Sequence, residues 1–501
     1  MNIKVRFLDI SNEPTALINP KDSVKIGGKD NDRVRIDGKR STTALLNVSD
    51  FVNPGEAILS ADMKDKLGAS DGDELNVVYA SSPESVRSIR KKMDNEKLSK
   101  EEISGIVQDI VDNRLSRIEI SAWLTALHIN GMDIEEIAAF TVAMVDTGDR
   151  VEFDRSPVYD FHSLGGVPGN KITPIVVSIV AAAGLMLPKT STRAISSACG
   201  TSDFVETFCE VEMDADTLKR ISEKVGGVLA WGGAMNLAPV DDLVIKVEHP
   251  LGINPRAQML ASILSKKLAI GATHLVVDIP TGSGTKVPTI EVAKAYARDF
   301  MDLGEKLNIH IECAITYADQ PVGSAIGPKL EARECIRILE GDKHPASVVE
   351  KACDIAGMIL EMGGIINGGD KARELLASGA AMTKFREIVE AQKGNYDLKS
   401  SDLVPGEFVA EITSVKSGYV HSISNKDLVS IAKAAGAPSD KGAGILLHKK
   451  KGQREEKGEA LFDIYSDNKA KLDRAKELAA TYKPYDIEGM LLKRIAAPRT
   501  R

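Results

Sequence analysis

Residues 160–171 read DFHSLGGVPGNK and lead directly into the apolar run ITPIVVSIVAAAGLML at 172–187. Glycines clustered ahead of an apolar run predict a tight turn between a buried strand and a helix. Backbone N–H groups of such a turn can converge on an anion, and the helix N-terminus adds partial positive charge. Ser163 and Lys171 would add a hydroxyl and an ammonium. A turn that binds no ligand fits the same pattern, so both interpretations stay open at this point.

The next segment downstream, residues 189–203, reads KTSTRAISSACGTSD. Eight of its first thirteen positions carry a hydroxyl or a cationic side chain, a density that suits a phosphate or a sugar. A solvated Ser/Thr loop is the alternative, although both flanking segments are apolar. A third segment, PTGSGTKV at 280–287, lacks the Gly-Lys-Ser/Thr order of a nucleotide-binding P-loop, which excludes an ATPase of that kind. Lys286, at the end of a predicted strand, remains a candidate ligand contact.

The remainder of the central region alternates Gly-rich turns with short apolar strands and helices. The stretch GATHLVVDIPTG at 271–282 is typical of a buried strand in a sheet that helices cover. Upstream, Ile103, Ile106 and Ile110 recur at helical spacing, which predicts helices up to about residue 147. Nearer the N-terminus, short strands are predicted for IKVRFLDI (3–10), SVKIGG (23–28), RVRIDG (33–38) and ELNVVYA (74–80).

Two further modules are predicted at the ends of the chain. A short helix capped by Ser60 and stopped by Gly68 precedes a strand, a pattern similar to half of a double-psi β-barrel; a small β module of unknown purpose is the alternative. Past residue 405, two strands, a Gly-rich turn and a helix at 468–482 resemble a barrel-sandwich module, for which oligomer contact is the expected role. The predicted divisions are an N-terminal β-rich module (1–85), a helical domain (86–153 and 236–272), an α/β phosphate-binding domain (154–235 and 273–404) and a C-terminal α+β module (405–501).

The composition limits the classes of function open to this chain of 501 residues. Its net charge of −8 argues against general nucleic-acid binding, which needs a basic face. The uncharged run at 172–187 is too short for a membrane span and contains Pro174 and Gly184. Five cysteines without a CxxC pair and eight scattered histidines predict neither a disulfide framework nor a metal site. We therefore expect a reduced, soluble, cytoplasmic protein with no metal or cofactor and no nucleic-acid or membrane partner.

Four segments, in this order, resemble the thymidine phosphorylase family: DFHSLGGVPGNK, STRAISSACGTSD, LASILSKK (260–267) and ITYADQPVGSAIGPKLEARECIRIL (315–339). The similarity extends over about residues 86–480. The motifs GGVPGNK and SxRAIxSAxGT are most similar to those of an archaeal branch that acts on nucleoside 5′-monophosphates. The resemblance implies a multidomain α/β fold in which a helical domain faces a mixed α/β domain across a cleft. It implies a pentosyltransferase in which inorganic phosphate, a co-substrate, attacks C1′ of AMP or a similar nucleotide and frees the base. It also implies a homodimer or a larger homo-oligomer.

The resemblance transfers roles onto particular residues. Gly166 and the preceding Ser163 correspond to a phosphate and nucleotide cradle, Ser262 and Lys286 to AMP-contacting positions, and Lys266 to a base-contacting lysine. The nucleotide- and phosphate-binding loop corresponds to Ser191, Thr192, Arg193, Ala194, Ile195, Ser196, Ser197 and Thr201. His162, inside the glycine turn, is a candidate proton donor because an imidazolium is available near about pH 6.5.

Two positions depart from the pattern of the family. Phe161 stands where pyrimidine nucleoside phosphorylases carry a phosphate-binding lysine, which counts against a thymidine or pyrimidine nucleoside phosphorylase, the second hypothesis. Asn254 stands where a proton-donating Asp is expected, and an amide can donate a hydrogen bond to the base without transferring a proton. That substitution keeps open a third hypothesis, a weakly active or non-catalytic nucleotide-binding relative.

Overall fold

The computed structural model describes residues 1–10, 14–194 and 197–491. The chain divides into two compact units. The first comprises Met1–Gly148 and Ala238–Ser265, and the second comprises Asp149–Leu237 and Lys266–Arg501. Among the helices of the described ranges, none is long and apolar enough to cross a membrane.

Strands and helices are numbered in chain order. The strands are β1 (Asn2–Leu8), β2 (Thr15–Ile18), β3 (Arg33–Asp37), β4 (Ser41–Val48), β5 (Glu56–Ser60), β6 (Glu74–Tyr79), β7 (Tyr159–Ser163), β8 (Leu187–Ser191), β9 (Gly227–Trp231), β10 (His274–Thr281), β11 (His310–Tyr317), β12 (Ala325–Ile326), β13 (Phe408–Thr413), β14 (Gly418–Ile423), β15 (Gly444–Leu447), β16 (Arg454–Glu455), β17 (Ala460–Ser466) and β18 (Tyr485–Glu488). The helices are α1 (Pro20–Ile26), α2 (Met63–Leu67), α3 (Ser85–Met93), α4 (Lys100–Val111), α5 (Arg117–Asn130), α6 (Ile134–Asp146), α7 (Thr173–Ala182), α8 (Thr201–Val205), α9 (Ala215–Val225), α10 (Pro239–Leu251), α11 (Arg256–Ala269), α12 (Ile290–Leu307), α13 (Pro328–Leu339), α14 (Ala346–Met362), α15 (Gly368–Ala377), α16 (Ala380–Ala391), α17 (Asn425–Ala435) and α18 (Lys469–Tyr482).

Strands β1 to β6 form a closed barrel in the order β1-β5-β2-β4-β3-β6, in which β1–β5 and β2–β4 are parallel pairs. In β1, Ile3 and Val5 are buried while Lys4 and Arg6 are exposed. This alternation places one face of the strand in the barrel core. The strands predicted for RVRIDG and ELNVVYA are confirmed by β3 and β6.

The strand predicted for SVKIGG is wrong, because its residues lie in helix α1 and the turn that ends it. Asn19 caps α1 by accepting a hydrogen bond from the Lys21 N–H (2.9 Å), and Pro20 occupies the first turn. Gly27 ends the helix in the left-handed conformation, with φ of +76°. These cap signals outweigh the short alternating apolar pattern on which the strand prediction rested.

The short helix predicted before β6 is confirmed as α2, which ends at Gly68 with φ of +59°. Its predicted cap is wrong. Ser60 is the last residue of β5, and its hydroxyl accepts a hydrogen bond from the Thr15 N–H (3.1 Å) instead. Asp62 takes the cap position, but its side chain makes no capping hydrogen bond to a backbone N–H of the helix.

Helices α3 to α6, helix α10 and the start of α11 lie in the first unit. Ser99, Ser116 and Asp133 cap α4, α5 and α6, each in a reciprocal capping box with a glutamate three residues later. The apolar face predicted for α4, which includes Ile103 and Ile106, is buried. The predicted helical region is therefore confirmed by these elements.

The second unit contains a parallel sheet in the order β11-β10-β7 and a parallel pair, β8 and β9. Strand β10 is buried along almost its whole length, and α7 is buried on all sides. This is the environment expected for continuous apolar runs in an α/β layer, and it confirms the predicted buried sheet. Ser163, the last residue of β7, pairs in register with Asp278 of β10. The segments that follow these strands therefore start from one edge of the sheet.

The C-terminal part of the second unit contains two sheets, in the orders β12-β15-β17-β13 and β16-β14-β18, and helices α17 and α18. The predicted strands past residue 405 are confirmed by β13 and β14, and the predicted helix by α18, which Asn468 caps. Strand β12 precedes residue 405 and pairs with β15. One C-terminal sheet thus includes a strand from the preceding α/β segment.

Candidate active site

The glycine turn after β7 adopts a backbone that only glycine adopts without strain. Gly165, Gly166 and Gly169 have φ of +74°, +85° and +74°. A β-carbon at Gly169 would lie 2.5 Å from the carbonyl oxygen of Val322, so no other residue fits there. A β-carbon at Gly166 would lie 3.3 Å from Cγ of Lys286. The structure therefore brings two sequence-predicted residues, Gly166 and Lys286, into direct contact.

The hydroxyl of Ser163 is committed to a buried carboxylate. It donates to Asp278 Oδ2 (2.5 Å), while Thr316 donates to Oδ1 (2.5 Å) and the Lys351 ammonium lies 2.8 Å from Oδ2. Ser163 can accept a hydrogen bond in this arrangement but cannot donate its hydroxyl proton to a phosphate. Asp278 and Lys351, which the motif analysis did not single out, hold the start of the glycine turn.

Lys171 does not supply the ligand-facing ammonium that its place in the turn suggested. Its side chain is fully buried, pairs with Glu334 Oε2 (2.5 Å) and donates to the Val322 carbonyl (3.1 Å). A buried ammonium whose partners are all within the protein stabilises the turn, and an anion would have to displace those partners to reach it.

The loop at 192–200 is tied to the start of α8 by one side chain. Asp203 is buried, and its Oδ2 accepts hydrogen bonds from the backbone N–H groups of Ala194 (2.7 Å) and Gly200 (2.8 Å). A β-carbon at Gly200 would lie 2.6 Å from the Ala194 nitrogen, so the backbone at Gly200 packs directly against that at Ala194. Ile195 and Ser196, two of the predicted binding residues, lie outside the described residues. Asp203 was given no role from the sequence, although it is the last residue of the segment at 189–203.

The other predicted residues of this loop differ in what they offer a ligand. Ser191 ends β8, and the Thr192 carbonyl accepts from the Ser202 N–H (3.3 Å). The Ser197 hydroxyl donates to the Cys199 carbonyl (3.1 Å). Thr201 begins α8, is half-buried, and its hydroxyl makes no hydrogen bond within the described part of the chain. Thr201 is thus one of the residues of this group whose hydroxyl can donate to an incoming anion.

Arg193 already has protein partners for its charge. Its guanidinium lies 2.8 Å from Glu206 and 2.8 Å from Glu212, and it stacks over the Trp231 ring at 4.6 Å. Two carboxylates and an aromatic face neutralise the charge and fix the orientation of the side chain. The sequence suggested an anion contact here, and in the structure an anion would share the guanidinium with these two carboxylates.

The half-buried His162 of β7 lies in the electrostatic field of four lysines. Burial, together with the ammonium groups of Lys267, Lys189, Lys266 and Lys286, lowers the pKa of His162 well below its usual value. The imidazole is therefore neutral near pH 7, which removes the physical basis for using it as an imidazolium proton donor. The same groups create a positive field at the edge of the sheet where the glycine turn begins.

Asn254 and Ser262 belong to the first unit. Asn254 is exposed and lies two residues before α11, and its amide nitrogen is 3.9 Å from the Met259 sulfur. Ser262 is half-buried on α11, and its carbonyl accepts from the Ser265 hydroxyl (3.2 Å). Within the described residues, one group of potential metal ligands, His421, Asp486 and Glu488, lies on β14 and β18 and includes none of the predicted site residues.

Comparison with protein families and individual proteins gives concordant matches. Residues 86–148 match the helical bundle domain of a glycosyl transferase family, residues 155–382 match its a/b domain, and residues 419–486 match the pyrimidine nucleoside phosphorylase C-terminal domain. The AMP phosphorylase of Thermococcus kodakarensis is 49% identical over 99% of both chains, and that of Methanococcoides burtonii is 47% identical over 99% of both. Anthranilate phosphoribosyltransferase from Thermus thermophilus is similar in structure, with a TM-score of 0.53 and 20% identity over 61% of this chain and 99% of that one, which shows the fold alone.

Proposed function

The chain belongs to the thymidine phosphorylase family, on its AMP phosphorylase branch, and from this premise we propose that it catalyses the phosphorolysis of AMP. An oxygen of the hydrogen phosphate ion attacks C1′, the C1′–N9 bond breaks with its electron pair leaving on the base, and the proton that the phosphate loses on forming the ester ends on the base as adenine. The products are adenine and ribose 1,5-bisphosphate, so the enzyme is a pentosyltransferase.

The observation that carries this proposal is the cationic environment of His162: the charges of Lys267, Lys189, Lys266 and Lys286 all act on its imidazole, and Lys286 also lies beside Gly166 of the glycine turn. The reaction brings two phosphoryl groups together, that of the co-substrate and the 5′-phosphate of AMP. Their mutual repulsion is overcome only where several fixed cations and N–H donors face them. Positive charge also disfavours protonation of other groups there, as the low pKa of His162 indicates.

We assign roles to the residues on this basis. Gly166, Lys286, Ser191 and the loop Thr192–Ser197 with Thr201 hold the phosphoryl groups and the ribose, Ser163 accepts a hydrogen bond, and Ser262 contacts AMP. Asn254 donates a hydrogen bond to the leaving base, a role open to an amide that carries no transferable proton. The exposed position of Asn254 ahead of α11 leaves its amide accessible for such a contact.

Finer features of the fold and setting are also part of the proposal. The N-terminal barrel is of the double-psi type, which its closed six-stranded order with two parallel pairs supports. The domains follow the divisions predicted above, and the C-terminal module resembles a barrel-sandwich domain. The protein acts in the cytoplasm as a homodimer or a larger homo-oligomer.

Base release tests the proposal directly. Adenine release from AMP should require phosphate and yield a sugar product with two phosphate groups, which ³¹P NMR detects. Adenosine should have a kcat/KM lower by on the order of 10²-fold, because the charge-assisted contacts to the 5′-phosphate are lost. Adenine release at the same rate without phosphate would contradict phosphorolysis. Equal or faster turnover of thymidine or uridine would instead identify a nucleoside phosphorylase.

A further inference from the structure

Asp160 of β7 lies between two buried lysines. Its Oδ2 is 2.6 Å from the Lys267 ammonium, and its Oδ1 is 3.4 Å from the Lys189 ammonium. The Phe161 N–H also donates to Oδ1 (2.7 Å). Asp160 is 0% exposed, Lys267 3% and Lys189 5%, so all three charges are withdrawn from water.

The charges in this cluster do not balance. Lys189 and Lys267 share the single carboxylate of Asp160, and among the described residues no other carboxylate is within ion-pair distance of either ammonium. Lys189 also donates to the carbonyl of Thr190 (2.8 Å) and lies over the Phe161 ring at 5.1 Å. A carbonyl and an aromatic face reduce the cost of the excess charge, but neither carries a negative charge. One buried positive charge is therefore uncompensated.

An uncompensated buried charge destabilises a fold, because the solvation of the ion is lost without an opposite charge nearby. The paired lysines elsewhere show the contrast: the equally buried Lys92 has Glu136 to itself at 2.9 Å. An excess cation of this kind is expected where a bound anion completes the charge balance. Burial lowers the pKa of Lys189 to about 7, consistent with a charge that lacks a full partner.

The cluster also lies at the start of both segments predicted to bind phosphate. Asp160 is three residues before Ser163, where the glycine turn begins, and Lys189 is two residues before Ser191, where the loop at 192–201 begins. Lys267 lies in α11 beside Lys266, and both contribute to the positive field at His162.

We propose that Lys189 is a further binding residue for a phosphoryl dianion, with Asp160 and Lys267 holding its ammonium in place and leaving its charge for the ligand. This inference rests on the proposed function, because a phosphorolysis of AMP supplies such dianions. The dianion is that of inorganic phosphate or of the 5′-phosphate of AMP, which share this chemistry.

Thermal unfolding of the full chain with added ligands tests the proposal. Inorganic phosphate, AMP and adenosine are added separately to the wild type and to Lys189→Met, which keeps the length of the side chain and removes its charge. The ligand-free variant should melt at the same temperature as the wild type or higher, since the excess charge is gone. The rise in Tm caused by the recognised dianion should be largely lost, and KM for that ligand should increase by about 10- to 100-fold, the range for a lost charged hydrogen bond.

Comparison of the responses to the three ligands identifies which dianion Lys189 binds. Loss of the response to inorganic phosphate with a retained response to AMP assigns Lys189 to the co-substrate. The reverse assigns it to the 5′-phosphate, and adenosine should act equally on both proteins. Asp160→Asn provides a second test in the opposite direction: without ligand it should melt lower, because a second positive charge becomes uncompensated, and the dianion should then stabilise it more than the wild type.

Lys92→Met is the matched control, because it removes a buried lysine from a balanced pair. It should melt lower without ligand, since Glu136 loses its partner, and respond normally to phosphate and AMP. A Lys189→Met protein that melts as low as this control, or that keeps its full response to both ligands, would overturn the proposal. Adenine release by the wild type is measured in parallel, so failure of the inference is distinguished from failure of the proposed function.

Discussion

Substitution of Asp203 by Ala should release the backbone of Ala194 and Gly200 from the start of α8, and its effect can be worked out from two hydrogen bonds. Oδ2 of Asp203 accepts from Ala194 at 2.7 Å and from Gly200 at 2.8 Å. A hydrogen bond to a charged group contributes about 1.5–3 kcal/mol net, so the pair holds the loop by about 3–6 kcal/mol. Even the lower value reduces the ratio of molecules that hold Ala194 and Gly200 on Asp203 to those that release them by roughly 10²-fold, because about 1.4 kcal/mol corresponds to a factor of ten.

We therefore expect Asp203→Ala to lower kcat/KM for AMP by up to about 10²-fold at this lower value, mainly through KM, because fewer molecules hold Ala194 and Gly200 in the binding-competent position. Asp203→Asn keeps one acceptor oxygen and should lie between this variant and the wild type. The matched control is Asp214→Ala, since Asp214 accepts from the Thr217 N–H (2.8 Å) at the exposed start of α9. It should cost about 1 kcal/mol of stability and leave KM unchanged. If Asp203→Ala lowers Tm but keeps the kcat/KM of the wild type, the carboxylate stabilises the fold without shaping the site.

Three further predictions concern the same chemistry. Asn254→Asp should raise kcat for adenine release by roughly 10²–10⁴-fold, the usual contribution of a general acid, and an unchanged kcat would show that the proton comes from elsewhere. Thr201→Val should raise KM for phosphate about tenfold, since a hydroxyl donor is lost. Thr207→Val is the control: the Thr207 hydroxyl donates to the Phe204 carbonyl (2.6 Å), so its removal should leave that KM unchanged. Because the pKa of Lys189 is about 7, its positive charge is lost as the pH rises through that value, and KM for the recognised dianion should increase towards about pH 9. Over the same pH range the free energy of unfolding of the ligand-free protein should increase, because the pKa of a lysine in the unfolded chain is about 10.4, above that of Lys189 in the folded protein. A KM that does not change with pH would contradict the assignment of this charge.

The sequence predicted the elements whose signals are local. Glycines ahead of an apolar run indicated the turn after β7 and helix α7, and both are present. Continuous apolar stretches indicated buried strands such as β10. The one misassigned element, α1, is short, and its cap at Asn19 and Pro20 was a local signal that the analysis of alternation passed over.

The roles of charged side chains were the part that residue type could not predict. Arg193 and Lys171 have the chemistry of anion ligands, yet the structure pairs Arg193 with Glu206 and Glu212, and Lys171 with Glu334. These partners are between 13 and 163 positions away along the chain, so no motif contains them. Only packing determines whether a cation faces a carboxylate of the protein or remains for a ligand.

The sequence by itself thus determined the family, many of the helices and strands, and the two glycine- and hydroxyl-rich segments, because these depend on periodicity, caps and motifs that neighbouring residues carry. Tertiary structure alone decided the charge balance. It brings Asp160, Lys189 and Lys267 together from β7, β8 and α11, and it places the Lys286 side chain against Gly166. The physical reason is that electrostatic free energy depends on distance and burial, and the fold sets both for residues that the chain keeps far apart.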